Sequence, residues 1–325
     1  MRKLIWGGGI VAALWCGYWG LGTYAIRQGA YQAIDEAARQ GNFIAPEVAT
    51  AGFPTSFDIT LQRLDFGNPS AGLRWNSPSL RVQAAAWRPW HVVALLDDTH
   101  GFTLPNDTIN LTVDDARASL TVTPDTNLTL SQLALTITEA TVTSALGWTG
   151  SAQVAEVHVN LLPDPAHSYA IVVDATQIGL DPAFTAATGL AGTIGKVEVD
   201  ATVSLSAPLD RKAAEAKPSL TAITLKNLTA EWGDVVLSAS GTISADAQGL
   251  AEGRFDIVVA NWRSLIPALV AAGAIQPDVA PTITGFLNAF ATQGGDPDTL
   301  PLPLIFANGR GTLGPLPLGP APRLN

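Results

Sequence analysis

The sequence has almost nothing that could crosslink the chain, because its 325 residues include a single cysteine, Cys16. No intramolecular disulfide can form, so burial and hydrogen bonding between strands must stabilise the folded part. Charged residues are also scarce, at 14% of the chain against roughly 25% in an ordinary globular protein. Threonine, serine, asparagine and glycine take the place of charge on the polar faces, a composition common in β-rich proteins outside the cytoplasm.

Basic residues are outnumbered in this chain. It has 18 lysines and arginines against 28 acidic residues, and its formal net charge is −10. Such a charge repels the phosphates of nucleic acids, and no cluster of basic residues offsets it. We therefore expect no nucleic acid among the partners.

Patterns that carry catalysis or metal binding are absent from the sequence. The carboxylate pairs Asp97-Asp98 and Asp114-Asp115 lack the ligand spacing of a calcium loop. No glycine-rich phosphate loop joins a strand to a helix, and no G-x-S-x-G segment occurs. The four histidines are scattered, and none has a zinc-like spacing: His91, His100, His158 and His167. We predict no catalytic residue, no metal site and no cofactor, and expect that the protein is not an enzyme.

The longest apolar run begins at Leu4, directly after Arg2 and Lys3, and continues without charge to Ile26. As a helix these 23 residues would measure about 35 Å, enough to cross a bilayer core of roughly 30 Å. Aromatic residues that favour a membrane interface lie toward its far end: Trp15, Tyr18, Trp19 and Tyr24. We predict a single-pass inner-membrane anchor over residues 1–27, with the N-terminus cytoplasmic and the remainder in the periplasm.

A cleaved signal peptide is the alternative interpretation of this segment. Thr23 and Ala25 form a weak small-x-small cleavage site. The run is longer than a typical signal core, and its aromatic residues suit an anchor. Both interpretations place the following chain outside the cytoplasm.

Apolar and polar residues alternate from about residue 55 to 261, as in segments 57–62 and 196–205. Alternation puts the apolar side chains of a strand on one face. Turn-forming residues, such as those at 163–165 and 246–249, separate the runs. The pattern predicts a mainly β fold of large, twisted antiparallel sheets, forming an open groove or a sandwich, with a few short helices.

Helical segments and composition divide the chain further. Residues 28–50 are predicted as a juxtamembrane helix, over 28–41, and a linker. The β-rich halves, 51–206 and 219–325, are joined by a charged linker or helix at 207–218. Further helices are expected at 181–190, 262–274 and 278–293, and a final hairpin over 301–313 turns at Asn308-Gly309.

Aromatic residues are the candidate ligand contacts. Trp75, Trp87 and Trp90 form the densest cluster, with Pro89 and His91, and they either fill a core or line an apolar site. The predicted lining of an apolar ligand site consists of Trp75, Trp87, Trp90, Phe57, Phe255, Trp262, Phe286 and Phe290.

Three segments carry a family resemblance: 52–61 (GFPTSFDITL), 73–80 (LRWNSPSL) and 86–92 (AWRPWHV). With the N-terminal run, they resemble the uncharacterised bacterial envelope proteins of domain-of-unknown-function family 2125, over nearly the whole chain. That family has no assigned activity, so the resemblance implies no catalytic residue. A broader similarity, in the order of elements over 238–313, is to AsmA-like periplasmic proteins. It implies a curved sheet whose apolar concave face holds acyl chains, although a fold does not fix a function.

The number of strands leads to the functional hypothesis. About nine long strands offer more apolar surface than three or four short helices can cover. We therefore predict a periplasmic protein that binds lipid or another apolar envelope molecule in a hydrophobic groove, in envelope lipid transport or homeostasis. The alternative is a non-enzymatic structural or assembly factor of the cell envelope that acts through protein partners, with its sheets packed as closed sandwiches.

Overall fold

The computed structural model describes residues 14–24, 27–29, 31–32, 43–44, 47–68 and 71–324. The described strands form one antiparallel sheet, so the predicted mainly β, antiparallel fold is confirmed. They are β1 (Phe43–Ile44), β2 (Glu47–Ala51), β3 (Ser56–Asn68), β4 (Leu73–Ala85), β5 (Arg88–Leu96), β6 (Thr99–Leu104), β7 (Asp107–Thr112), β8 (Asp115–Val122), β9 (Leu130–Ser144), β10 (Thr149–Leu161), β11 (Ser168–Gly179), β12 (Thr193–Leu205), β13 (Leu220–Trp232), β14 (Val235–Ala245), β15 (Ala251–Ala260), β16 (Thr299–Pro301), β17 (Leu304–Ala307), β18 (Arg310–Leu313) and β19 (Leu316–Pro320).

The helices lie close to the sequence-based expectations. They are α1 (Pro182–Thr188), α2 (Ala213–Ala216), α3 (Leu265–Ala271), which follows a 3₁₀ turn at Trp262–Ser264, and α4 (Ala280–Gln293). The expected hairpin forms between β17 and β18, with positive φ at Asn308 and Gly309, as a tight two-residue hairpin turn requires.

The strands follow each other as a meander from β8 to β15, each pairing with the next. Residues 207–218 connect β12 and β13, which pair along most of their length. The segment predicted as a linker between two halves therefore joins adjacent strands of one sheet.

The sheet is less regular between the long strands β4 and β9. Over part of their length β4 and β9 are separated by β5 and β8, which pair with each other. Over another part they are separated by the β6–β7 hairpin. Residues 97–98 connect β5 to β6 and residues 113–114 connect β7 to β8, so the carboxylate pairs Asp97-Asp98 and Asp114-Asp115 lie at or beside a break in the ladder. Across it, the Val113 backbone N–H donates to the Asp98 carbonyl at 2.9 Å.

The register places one row of apolar residues across eleven strands, from β3 to β15. This apolar row consists of Ile59, Val82, Ala94, Ala118, Leu135, Val157, Val173, Val199, Leu228, Ala239 and Ile257. The neighbouring row, one residue along each strand, is polar at nine of eleven positions. It consists of Thr60, Arg81, Leu95, Arg117, Thr136, Glu156, Asp174, Glu198, Thr229, Ser238 and Val258. Because alternate residues point to opposite sides, the sheet has an apolar face and a polar face.

The largest core cluster lies where α3 and α4 cover the last strands. Trp262 packs there with Val235 and Val259 of the apolar face, and Leu287 and Phe290 of α4 pack against them. Elsewhere burial is sparse: of seventeen buried hydrophobic residues in the described chain, eight are alanines. A sheet of this size would need larger buried side chains if a second layer covered it fully.

Residues 14–24 are helical, and so are residues 27–29 and 31–32. The rest of the predicted span from Leu4 to Ile26, and most of the predicted juxtamembrane helix, lie outside the described residues. Among the described residues, no helix is both long enough and apolar enough to cross a membrane.

The α3–α4 core leads to a stability prediction. Trp262→Ala should lower the free energy of unfolding by about 3–5 kcal/mol, because the indole is only 2% exposed and its removal leaves a cavity. Phe286→Ala is the control: its ring is 49% exposed, so the loss should stay below about 1 kcal/mol. Urea titration followed by circular dichroism measures both, and equal losses would contradict the assigned core.

Candidate functional site

The apolar face is incompletely covered in the middle of the sheet. Ten of the eleven residues of the apolar row are half-buried, and only Ala239 is buried. Leu120, on the same face of β8, is exposed. The helices lie toward the flanks: α3 and α4 pack on the last strands, and residues 14–24 contact Phe57 of β3. The central strands therefore present a broad apolar surface that the described helices leave partly accessible.

An apolar cavity of about 500 Å³ opens where β9 ends, β10 begins and β11 ends. This volume lies within the range of small-molecule sites. Its mostly apolar lining is Ala140, Val142, Trp148, Thr149, Gly150, Ser151, Ala152, Ile178, Gly179, Leu180, Asp181 and Phe184. Trp148 and Phe184 remain partly exposed at its mouth, and Leu146 in the adjoining turn is 70% exposed.

Helix α1 forms one wall of the apolar cavity, and Asp181 fixes its start. One carboxylate oxygen accepts from the backbone N–H of Ala183 at 2.9 Å and of Phe184 at 3.1 Å, as an N-cap does. The other accepts from the backbone N–H of Thr149 at 2.9 Å. Hydrogen bonds from Thr149, then Phe184, hold the pKa of this carboxyl below its usual value. One side chain thus ties α1 to the start of β10.

The other side of α1 is held by aromatic packing. Phe184 stacks on Trp232 of β13 with 6.3 Å between ring centroids. The Trp232 indole N–H donates to the Ala191 carbonyl at 2.7 Å. α1 also contacts α3, so the cavity wall is continuous with the helices that cover the last strands.

A second cavity, of about 600 Å³, lies at the break in the ladder and is more polar. Its lining is Arg63, Leu64, Asp65, Asn76, Ser77, Pro78, Thr99, His100, Gly101, Asn110, Leu111 and Thr112. Asp65 is paired with the half-exposed Arg74, and that ion pair keeps the pKa of Asp65 below its usual value. This polar cavity exists because β4 exchanges β5 for β6 as its neighbour, leaving residues 77–79 without a ladder partner on that side.

His100 is the unusual residue of the polar cavity. It is only 4% exposed, and neither ring nitrogen has a hydrogen-bond partner among the described residues. The buried indole nitrogen of Trp75 also lacks a hydrogen-bond partner among the described residues, and the centroids of the indole and imidazole rings are 6.0 Å apart. Burial lowers the pKa of His100, although nearby Asp97 acts in the opposite direction. The unpartnered nitrogens of His100 and Trp75 suit water or a small polar group.

The eight aromatic residues predicted to line a ligand site do not converge in the structure. Trp262 and Phe290 belong to the α3–α4 core. Phe255 is half-buried on β15, opposite Leu304 of β17. Phe286 is four residues before Phe290 but is exposed.

The other four residues divide between the two ends of β4. Phe57 is buried beside the N-terminal helical residues, Trp87 is exposed in the β4–β5 turn, and Trp90 is half-buried in β5. Trp75 lies at the far end of β4, near the polar cavity. The predicted cluster of three tryptophans is thus split by the length of a strand.

Sequence reasoning missed both cavities. The capping pair Asp181-Pro182 predicted α1, yet nothing in the sequence places it beside β9 and β10. No group of three or more His, Cys, Asp or Glu residues in the described chain could hold a metal ion. The expectation that the protein is not an enzyme remains a prediction.

The buried imidazole of His100 leads to a pH prediction. Its pKa is lower in the folded chain than the unfolded value of about 6.5, so the unfolded chain takes up a proton first as the pH falls. The stability conferred by neutral His100 is present above the unfolded pKa and is lost as the pH falls toward the folded pKa. The free energy of unfolding should therefore decrease between pH 7.5 and 5.5 in urea titrations.

The control for this prediction is a histidine with an exposed side chain. His100→Gln should flatten the pH dependence, whereas His158→Gln should keep it, because the His158 side chain is 47% exposed. An unchanged pH dependence in His100→Gln would contradict the assignment.

Comparison with known proteins gives a family and no nearer relative. No curated protein and no solved structure matches the chain. The model of one family, described as an uncharacterised protein conserved in bacteria, matches residues 19–322. This match confirms the resemblance seen in segments 52–61, 73–80 and 86–92. The chain therefore belongs to domain-of-unknown-function family 2125.

Proposed function

We propose that this protein is tethered to the inner membrane by its N-terminal segment and binds lipid or another long-chain apolar molecule of the envelope on its apolar face. The observation that carries the proposal is the apolar row, which is continuous over eleven strands and half-buried at ten positions. The apolar cavity beside α1 provides a recess, open to solvent, for one end of such a ligand.

The energetics favour a long hydrocarbon chain over a small ligand. Burying ten methylene groups would contribute about 8 kcal/mol, and association costs about 4 kcal/mol or more. The remainder corresponds to millimolar binding. Sixteen methylene groups would contribute about 13 kcal/mol, which leaves enough for micromolar binding or tighter. The favoured ligand therefore carries a long hydrocarbon chain.

The membrane tether is supported by the sequence. The charge-free run from Leu4 to Ile26 follows Arg2 and Lys3, an arrangement that orients the following chain to the outside of the inner membrane. A tethered protein that carries lipid would act in envelope lipid transport or homeostasis, without catalysis.

A structural or assembly role is the second candidate, and the last strand favours it. In the described chain β19 pairs only with β18, and its Leu316 and Leu318 are exposed. An edge strand with exposed apolar side chains can accept a strand from a partner. Its two prolines limit such pairing, because proline has no backbone N–H to donate.

Site-specific photocrosslinking tests the lipid-binding proposal. A benzophenone amino acid placed at Val157 or Val173, on the apolar face, should crosslink radiolabelled phospholipid in cells. The same probe at Glu156 or Asp174, on the polar face of the same strands, should not, because neighbouring residues point to opposite sides. The measurement is lipid radioactivity on the purified full-length protein.

The four positions also separate the candidates. Lipid crosslinks of equal strength at all four, or at none, would contradict a ligand on the apolar face. Crosslinks to a protein instead of lipid would favour the assembly role.

A further inference from the structure

The N-terminal helical residues 14–24 are fixed to the sheet by three side-chain hydrogen bonds. The indole N–H of Trp15 donates to the Pro54 carbonyl at 2.9 Å. The Trp19 indole N–H donates to the Ser56 carbonyl at 2.7 Å, and the Tyr18 hydroxyl donates to the carbonyl of residue 86 at 2.9 Å. All three acceptors lie in, or next to, the turns that precede β3 and β5.

Ring packing makes this contact specific. Trp19 meets Phe53 edge-on at 5.1 Å between centroids and stacks with Phe57 at 6.3 Å. Gly22 lies directly against Phe57, so that a Cβ on Gly22 would be 2.8 Å from the phenyl ring. A larger residue at Gly22 could not keep this packing.

The two turns at this contact carry exposed aromatic rings. Phe53 is 55% exposed and Trp87 is 64% exposed, and Arg88 beside Trp87 is exposed as well. We call Phe53, Trp87 and Arg88 the sheet tip. Tryptophan, phenylalanine and arginine are residues with which protein segments bind at the interface between a bilayer and water.

The length of the apolar run decides where the sheet tip must lie. The part before Trp15, from Leu4 to Leu14, would supply only about 17 Å as a helix, against a bilayer core of roughly 30 Å. A span of this length therefore also includes residues 15–23, so the residues that dock on the sheet lie in its outer half. Those residues carry the neighbouring turns with them toward the membrane.

We infer that the sheet tip inserts into the outer leaflet of the inner membrane, held there by the docked helix. This inference rests on the proposed membrane tether. The partner is the bilayer itself: the acyl chains of its outer leaflet receive Phe53 and Trp87, and the long Arg88 side chain extends toward its phosphates. The apolar face then begins at the membrane surface, since Phe57 follows Phe53 closely and lies on the apolar face.

Fluorescent labels on the full-length chain test the position of the tip. In a Cys16→Ser background, Phe53→Cys and Trp87→Cys are labelled with an environment-sensitive dye in vesicles of phosphatidylethanolamine and phosphatidylglycerol. Leu146→Cys is the control, because it lies in the β9–β10 turn. The register of β5, β8 and β9 places that turn at the opposite end of the sheet.

Labels at Phe53 and Trp87 should show blue-shifted emission, strong quenching by lipids brominated on their acyl chains, and at least about threefold weaker quenching by aqueous iodide than the label at Leu146. Equal iodide quenching at all three positions in protein that floats with the vesicles would overturn the tip insertion alone. Protein that fails to float would overturn both the tether and the tip.

A pair of glycine variants tests whether the docked helix holds the tip. Gly22→Leu should expose the label at Trp87 to iodide while flotation persists, because leucine cannot fit against Phe57. Gly20→Leu is the matched control, since a Cβ there meets nothing within 4 Å, and it should leave the quenching unchanged. The same iodide quenching in both variants would contradict the role of the docked helix.

Discussion

The register of the antiparallel ladder is the constraint on which the rest of this structure depends. A shift of one residue in any of the eleven central strands would move that strand's apolar side chain to the polar face. The hydrogen bonds between strands therefore determine which surface meets water and which is available to an apolar ligand. Eight of the seventeen buried hydrophobic residues of the described chain are alanines, so large buried side chains are few, and several of them lie in the α3–α4 core.

Breaks in this ladder are the places where the structure becomes chemically distinctive. Between β4 and β9 the strand pairs β5–β8 and β6–β7 lie one after the other, and the break in the ladder between them contains the polar cavity with buried His100. Where β9 ends, β10 begins and β11 ends, helix α1 forms one wall of the apolar cavity. The two cavities differ in polarity because many polar side chains surround the break in the ladder, whereas mostly aliphatic and aromatic side chains surround the strand ends.

Most secondary-structure elements could be predicted from the sequence, but the pairing of the strands into one sheet could not. Period-two alternation identified most strands, Asp181-Pro182 marked α1, and Asn308-Gly309 marked the last hairpin, because each signal is local. Pairing partners are not local: the β6–β7 hairpin beside β5 and β8, and the continuity of the sheet across residues 207–218, depend on contacts distant in sequence. For the same reason the predicted aromatic lining divides among separate places, since aromatic composition does not specify position on a sheet.

The meander from β8 to β15 has a consequence for how the protein reaches its native state. Each strand pairs with the one synthesised just before it, so contacts there are close in sequence and the loops that must close are short. The sheet can therefore grow in the order of synthesis. Each added strand covers the edge left open by its predecessor, which limits the time for which an unpaired edge is available for aggregation.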